Sequence, residues 1–207
     1  VPAKVRNGSV LESVVVMHKT LRESLINAVS DARIRKAMDA TSTNVMIADA
    51  DRKVVYANEA VSEMMHRVEA DLRKELPQFS ADNIVGGNID RFHKNPQHQI
   101  SMLDRLTDTY ITEIKVGKLT FELQATPIFD TETNQRLGTI VEWKDRTEEV
   151  WTEGEVTRIV EGAANGDFTL TMDVEGRTGF FKTLGTAINE LVAVANDALT
   201  TVNGALE

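Results

Sequence analysis

From Val10 to about Ala40, apolar residues return at spacings of three and four. Leu11, Val14, Val15, Leu21, Leu25, Ala28, Val29, Ala32 and Met38 alternate with polar positions, the pattern of one face of an α-helix. A helix of about 30 residues exceeds what a small domain needs. Its stripe therefore predicts a coiled-coil seam or a lid on the next domain, with His18 an ordinary helix-face residue. The period then shortens. Val45–Asp49 and Lys53–Ala57 are short apolar runs joined by the tight-turn sequence Asp49-Ala50-Asp51-Arg52, which predicts a β-hairpin. Asn58 is placed to cap a short helix over Glu59–Met65, and Glu69–Leu76 reads as a second short helix stopped by Pro77. His98–Leu106 predicts another helix. Three strands follow at Tyr110–Val116, Leu119–Pro127 and Leu137–Trp143, with turn chemistry at Gly117-Lys118 and in the polar loop Asp130–Gln135.

Two strands, several small helices and three strands make an α+β domain of about 105 residues. Beyond Glu148 the pattern is helical again. Val156, Ile159, Val160 and Ala163 form a stripe ending at Asn165-Gly166-Asp167, and an extended connector carries Leu170, Met172 and Val174 in alternation. A second helix after Gly179-Phe180-Phe181 carries Leu184, Ile188, Leu191, Ala195, Leu199, Val202 and Leu206. The expected division is thus an N-terminal helix or coiled-coil linker over 1–40, an α+β domain over 41–147 and a helical pair over 148–207. A plain antiparallel helical hairpin would satisfy the same periodicity, although the connector is longer than antiparallel neighbours require.

Composition narrows the function. The chain has 207 residues, a net charge of −9 and no clustered Lys/Arg stretch, which argues against nucleic-acid binding. It has no cysteine, so disulfides, thiolate metal sites, Fe–S clusters and a cysteine nucleophile are excluded. No apolar run approaches the roughly 20 residues that span a bilayer, and the N-terminus does not read as a signal peptide; the expected setting is cytoplasmic. Because it begins on Val1 and ends within a helical pattern at Glu207, it is expected to be a piece of a longer protein. No nucleophile–base pair, phosphate-binding glycine loop or carboxylate–histidine metal motif is present, so an enzyme is not expected.

The chemically distinctive stretch is Asn88 to Gln99, with His93 and His98 on either side of Pro96 after the loosening pair Gly86-Gly87. Neutral imidazole is the commonest protein ligand for a metal or haem iron. Pro96 blocks a helix from running through, and even in an unbroken helix residues five apart diverge by roughly 140°. One histidine is therefore expected to carry any ligand role while the other supports the loop. Asp90 could orient an imidazole or only cap a turn, and His66, at a helix end, is assigned no role.

The blocks Asn44-Val-Met-Ile-Ala-Asp, Tyr56-Ala-Asn, Leu72-Arg-Lys-Glu-Leu-Pro-Gln-Phe, Gly87-Asn-Ile-Asp-Arg-Phe-His-Lys-Asn-Pro-Gln-His-Gln and Gly138-Thr-Ile-Val-Glu-Trp-Lys-Asp-Arg-Thr-Glu-Glu resemble the PAS domains of bacterial chemoreceptors. The resemblance implies a five-stranded antiparallel sheet with small helices and, after it, a HAMP-like helical pair that packs as a parallel four-helix bundle in a homodimer. It is nearest to the haem-binding PAS of soluble, aerotaxis-type chemoreceptors. By that resemblance His93 ligates a b-type haem, Trp143 donates a hydrogen bond to bound oxygen, and Leu123 packs beside the gas. Phe92, Ile84, Ile89, Met102, Phe121 and Ile140 would supply an apolar wall. Asp145 and Thr147 match an Asp-x-Thr pair that ties the last strand to the outgoing helix, a relay of signal; the same pair could simply cap that helix.

The resemblance implies O2 or another diatomic gas as ligand, no membrane span in this stretch, and a chemotaxis kinase and adaptor reached through regions outside it. The alternative it leaves is a haem-free PAS dimerisation and relay module whose stimulus is sensed elsewhere. In that case His93 and His98 cap their own loop and Trp143 is ordinary core. A redox flavin stays open, whereas a photosensory flavin lacks its cysteine.

Overall fold

The structure, a computed structural model, describes residues 10–92 and 96–204, with side chains over 13–90 and 100–202. In chain order it consists of α1 (Val10–Asp39), β1 (Asn44–Asp49), β2 (Val54–Ala57), α2 (Glu59–Glu75), 3-10 turns at Ala81–Asn83 and Ile89–Phe92, and α3 (Pro96–Asp104). Strands β3 (Tyr110–Val116), β4 (Leu119–Phe129) and β5 (Arg136–Asp145) and helices α4 (Thr147–Ala164) and α5 (Gly179–Gly204) complete it. The fold is α+β: one five-stranded antiparallel sheet, order β2-β1-β5-β4-β3, with helices. The chain divides into two compact units, Val1–Tyr110 with Ala125–Trp143, and Ile111–Gln124 with Lys144–Glu207.

In the first unit, the hairpin β1–β2 turns where Asp49 Oδ1 accepts from the backbone N–H of Asp51 and Lys53 and Arg52 takes a φ of 65°. A register shift between Ile47 and Ala48 lets Ala48 pair with Val54. One helix, α2, replaces the two short ones expected between Glu59 and Leu76. No glycine or proline interrupts that stretch, and Val61, Met64, Met65, Val68 and Leu72 bury a single continuous stripe. Pro77 follows its C-cap, as expected from proline's missing N–H. Helix α3 begins at Pro96, where proline's fixed φ suits the first helical position.

Asn58 organises this unit. It is fully buried, and its Oδ1 accepts from Val61 N–H at the start of α2 (3.1 Å) and from Val45 N–H in β1 (3.0 Å). Its Nδ2 donates to the carbonyls of Met38 (3.0 Å) and Thr43 (2.8 Å), at the end of α1 and the entry to β1. One side chain thus fixes three elements. Tyr56 reaches α1 as well, its hydroxyl 2.6 Å from Asp39 Oδ1.

In the second unit, α4 and α5 run parallel. The connector between them leaves the end of α4, passes Arg158, whose guanidinium donates to Thr171 O (2.8 Å), and returns to the start of α4. There Arg177 stacks on Trp151 at 3.6 Å and pairs with Glu148. A helix starting at Gly179 must then begin beside the beginning of α4. The connector forms no strand; its alternating residues are core. Ile159, Met172 and Val192 are buried together, with Trp151, Val156, Phe168, Leu170 and Ile188 packed around them. Asn189 locks the connector to α5 by pairing both ways with the Met172 backbone (2.7 and 2.9 Å).

Candidate functional site

The polar stretch that begins at Asn88 is anchored to the outer edge of β2. Gly86 N–H donates to Val54 O (2.8 Å), Val54 N–H to Gly87 O (2.8 Å) and Ile89 N–H to Arg52 O (3.0 Å). Gly86 reaches this geometry with a φ of 87°, a conformation that glycine takes at no steric cost. Asn88 Nδ2 donates to Asp51 O, and its Oδ1 accepts from Asp90 N–H. Arg52 then joins two carboxylates on either side of the histidine segment, Asp90 (3.2 Å) and Asp104 at the end of α3 (2.9 Å). The hydrogen bond to Asp90, aided by Asp104, raises the guanidinium further above its ordinary pKa. The other oxygen of Asp90, Oδ1, is buried with no donor among the described residues. His93 lies outside the described residues, as do the side chains of Phe92 and His98.

Ile84, ahead of this stretch, and Ile89, within it, are buried, and Met102 on α3 is half-buried beside the buried Leu103. Trp143 is on the central strand β5, paired with Asn44 of β1, whose Nδ2 donates to its carbonyl (2.8 Å). Cross-strand partners share a face of a sheet, so the register places Trp143, Val141 and Thr139 with Met46 and Ala48. Val54, paired with Ala48, continues that face. Met46, Ala48 and Val54 are all but fully buried, and the indole Nε1 of Trp143 is buried too.

Ile140 corrects one expectation. It pairs with Ile47, which in turn pairs with Tyr56, and so lies on the opposite face, the one that meets α1. Residues three apart on a strand point to opposite sides, so Ile140 and Trp143 cannot line one pocket. Leu123 and Phe121 belong to the second unit, on the buried face of β4 with Leu119. His66 binds Asp82 (2.9 Å) and the Ser62 carbonyl, which raise its pKa. A separate cleft of about 390 Å³ at the end of α2 is lined by Glu75, Leu76, Pro77, Gln78, Phe79, Ser80, Asn83, Gly87 and Asn88, without Trp143.

At the far end of β5, Asp145 Oδ1 accepts from Thr147 N–H (3.0 Å). The Thr147 hydroxyl oxygen accepts from Thr120 N–H (3.0 Å), and Arg146 N–H donates to Thr120 O (2.8 Å). The tie therefore runs to β4, one strand over from the strand that carries the pair. Between them Arg146 holds Glu149 (2.8 Å), which lowers that carboxyl's pKa. The strand partners of Arg146, the Arg52 bridge and the bonds of Asn58 to Met38, Thr43 and Val45 leave no local signal in the sequence, because they join residues distant along the chain.

An apolar prosthetic group with a polar gas ligand is compatible with what the first unit offers. Buried Ile84 and Ile89, half-buried Met102 and a buried donor-only indole are present. Among the described residues no group of three or more His, Cys, Asp or Glu could hold a bare metal ion.

Residues 32–95 match the PAS domain family. Over 179 residues the chain is 46% identical to the methyl-accepting chemotaxis protein McpB of Pseudomonas aeruginosa, a match covering 86% of this chain and 26% of that protein. The chain thus spans about a quarter of the length of this curated relative. A structure of the Aer2 receptor from Vibrio cholerae, a dual PAS-haem oxygen sensor, is 37% identical, covering 50% of this chain and 93% of that one, with a TM-score of 0.45. The PAS domain of Bordetella pertussis BvgS is 16% identical over 64% of this chain and 98% of its own, with a TM-score of 0.43.

Proposed function

From the match of residues 32–95 to the PAS domain family and the 46% identity to a methyl-accepting chemotaxis protein, we propose that the PAS domain senses a diatomic gas, O2 foremost, through haem b. The observation that carries this reading is Trp143. A buried indole N–H on a sheet face shared with Val141, Met46 and Ala48 is a donor with no acceptor capacity, suited to a small ligand with partial negative charge. The 37% identity to a PAS-haem oxygen sensor supports it.

In this proposal His93 holds the haem iron, and Ile84, Ile89 and Met102 exclude water around it. Haem b, when bound, supplies the position at which the gas is taken up. Trp143 donates to the gas ligand, favouring polar O2. A change at Trp143 reaches Asp145 two residues later on the same strand, and through Thr147 enters α4. The parallel pair α4–α5 is then a HAMP-like module in a homodimer, and the exposed apolar side chains of α1 (Leu21, Leu25) and α5 (Leu191, Val194) supply seams for a second copy. Ligand binding shifts such a module only if it favours one packing over another. No described helix is long and apolar enough to cross a membrane; the proposed setting is the cytoplasm, with output to a chemotaxis kinase through regions outside this chain and no catalysis of its own.

The test is substitution with haem loading and gas binding measured separately. Trp143→Leu is expected to load haem fully while O2 dissociates faster, with CO affected less because it is the poorer acceptor. Trp143→Leu with unchanged O2 dissociation would refute the role given to the indole. His93→Ala that stays haem-loaded, with His98→Ala colourless, would move the ligand to His98.

A further inference from the structure

Arg146 stands where β5 becomes α4. It is the N-cap residue of α4, with φ −108° and ψ 11°, and makes no side-chain cap of its own. Its backbone N–H is fixed to Thr120 O. The guanidinium, only 24% exposed, meets four carboxylates from three elements: Glu113 on β3 (3.6 Å), Glu122 on β4 (3.9 Å), and Glu149 (2.8 Å) and Glu153 (3.5 Å) on α4. Lys144, 3.4 Å from Glu149, and Lys115, 3.9 Å from Glu113, are further cations in contact. Four negative charges thus meet three positive ones, of which only the guanidinium touches both the strand and the helix carboxylates, and without it the two sets would repel. Its planar five-donor fork can face several carboxylates at once, which an ammonium cannot.

We propose that Arg146 is the positioning residue that makes the start of α4 follow β3 and β4, so that a displacement in the sheet is passed to the helix. Asp145 and Thr147 secure the backbone at one point, Thr120. Arg146 adds a lateral clamp that spans two strands and the first two turns of the helix. Its role in the gas response rests on the sensing reading above, whereas the clamp itself does not.

The experiment is hydrogen–deuterium exchange across residues 147–156 in the 207-residue chain, without haem and then with ferrous haem before and after CO. Arg146→Ala is expected to speed exchange in this segment about tenfold, the loss of a hydrogen-bonded charge pair, while the Soret band and CO affinity stay as in the wild type. The change that CO produces in residues 147–156 is expected to vanish. Arg146→Lys is expected to restore neither. Unchanged protection and an intact CO response in Arg146→Ala would overturn the proposal, as would full rescue by lysine, which would reduce the role to net charge. If the wild type takes up no haem, the sensing reading fails, and the haem-free exchange still decides the clamp. Should Arg146→Ala not fold, Glu113→Gln with Glu122→Gln removes only the strand side of the clamp. Faster exchange in α4 supports the proposal and unchanged exchange refutes it.

Discussion

Replacing Asn58 by alanine should be among the most damaging single changes in the first unit. The side chain is fully buried and makes four backbone hydrogen bonds between 2.8 and 3.1 Å. Loss of the α2 cap costs about 1 kcal/mol. Val45 N–H, interior to β1, loses the Asn58 acceptor, worth about 1–3 kcal/mol if no other partner replaces it. Met38 O keeps two donors from Thr41 and should add little. The sum is about 2–4 kcal/mol, a large share of the stability of a small domain. Urea unfolding followed by Trp143 fluorescence in a Trp151→Phe background reads this unit, with the loss appearing as a lower midpoint at unchanged slope. Asn58→Asp separates the bonds. It keeps the oxygen that accepts from Val45 and Val61 but points a carboxylate at the carbonyls of Met38 and Thr43. The folded state then favours the protonated acid, so stability is greatest below the ordinary Asp pKa of about 4 and falls as pH rises. A loss under about 1 kcal/mol in Asn58→Ala, or an Asn58→Asp protein with no pH dependence between 4 and 7, would refute the reasoning.

Three further outcomes follow. Burial, then the hydrogen bond to Asp39, pushes the Tyr56 phenol up to about 12; because the folded pKa lies above the unfolded value, this stability is intact below pH 10 and lost as pH rises toward 12. Ultraviolet titration of a Tyr110→Phe protein should show that midpoint, and one near 10 would contradict it. In Gly138→Ala the new Cβ would strike the carbonyl of Ala48 across the β1–β5 pair, and backbone cannot step aside as a side chain can. A loss of about 1–3 kcal/mol is expected by urea unfolding. Thr147→Val, which keeps shape but removes the hydroxyl, should leave Thr120 N–H without this acceptor and raise that amide's exchange about tenfold.

Much of the fold is local in origin and could be read from the chain. The α1 stripe and the five strands are set by periodicity and turn residues, whereas the helix expected over His98–Leu106 begins two residues earlier, at Pro96. The two short helices expected between Glu59 and Leu76 form one because His66-Arg67-Val68 contains no breaker, and the stripe through Met64, Val68 and Leu72 favours continuity. Ile140, expected as one of several apolar wall residues, is separated from Trp143 by the alternation of the strand. The parallel course of α4 and α5 depends on where Arg177 lands, which no local pattern encodes. Arg146 and Asn58 each join near partners on the following helix to others 13 to 33 residues away, and only the fold brings those together.

The central claim is settled most directly by absorption spectroscopy of the chain reconstituted with haemin, then reduced, then given CO. The account predicts a Soret band that shifts at each step in the wild-type protein and is absent from His93→Ala protein treated alike. A wild-type spectrum indistinguishable from free haemin throughout would contradict it, and would leave a PAS relay whose stimulus is sensed elsewhere.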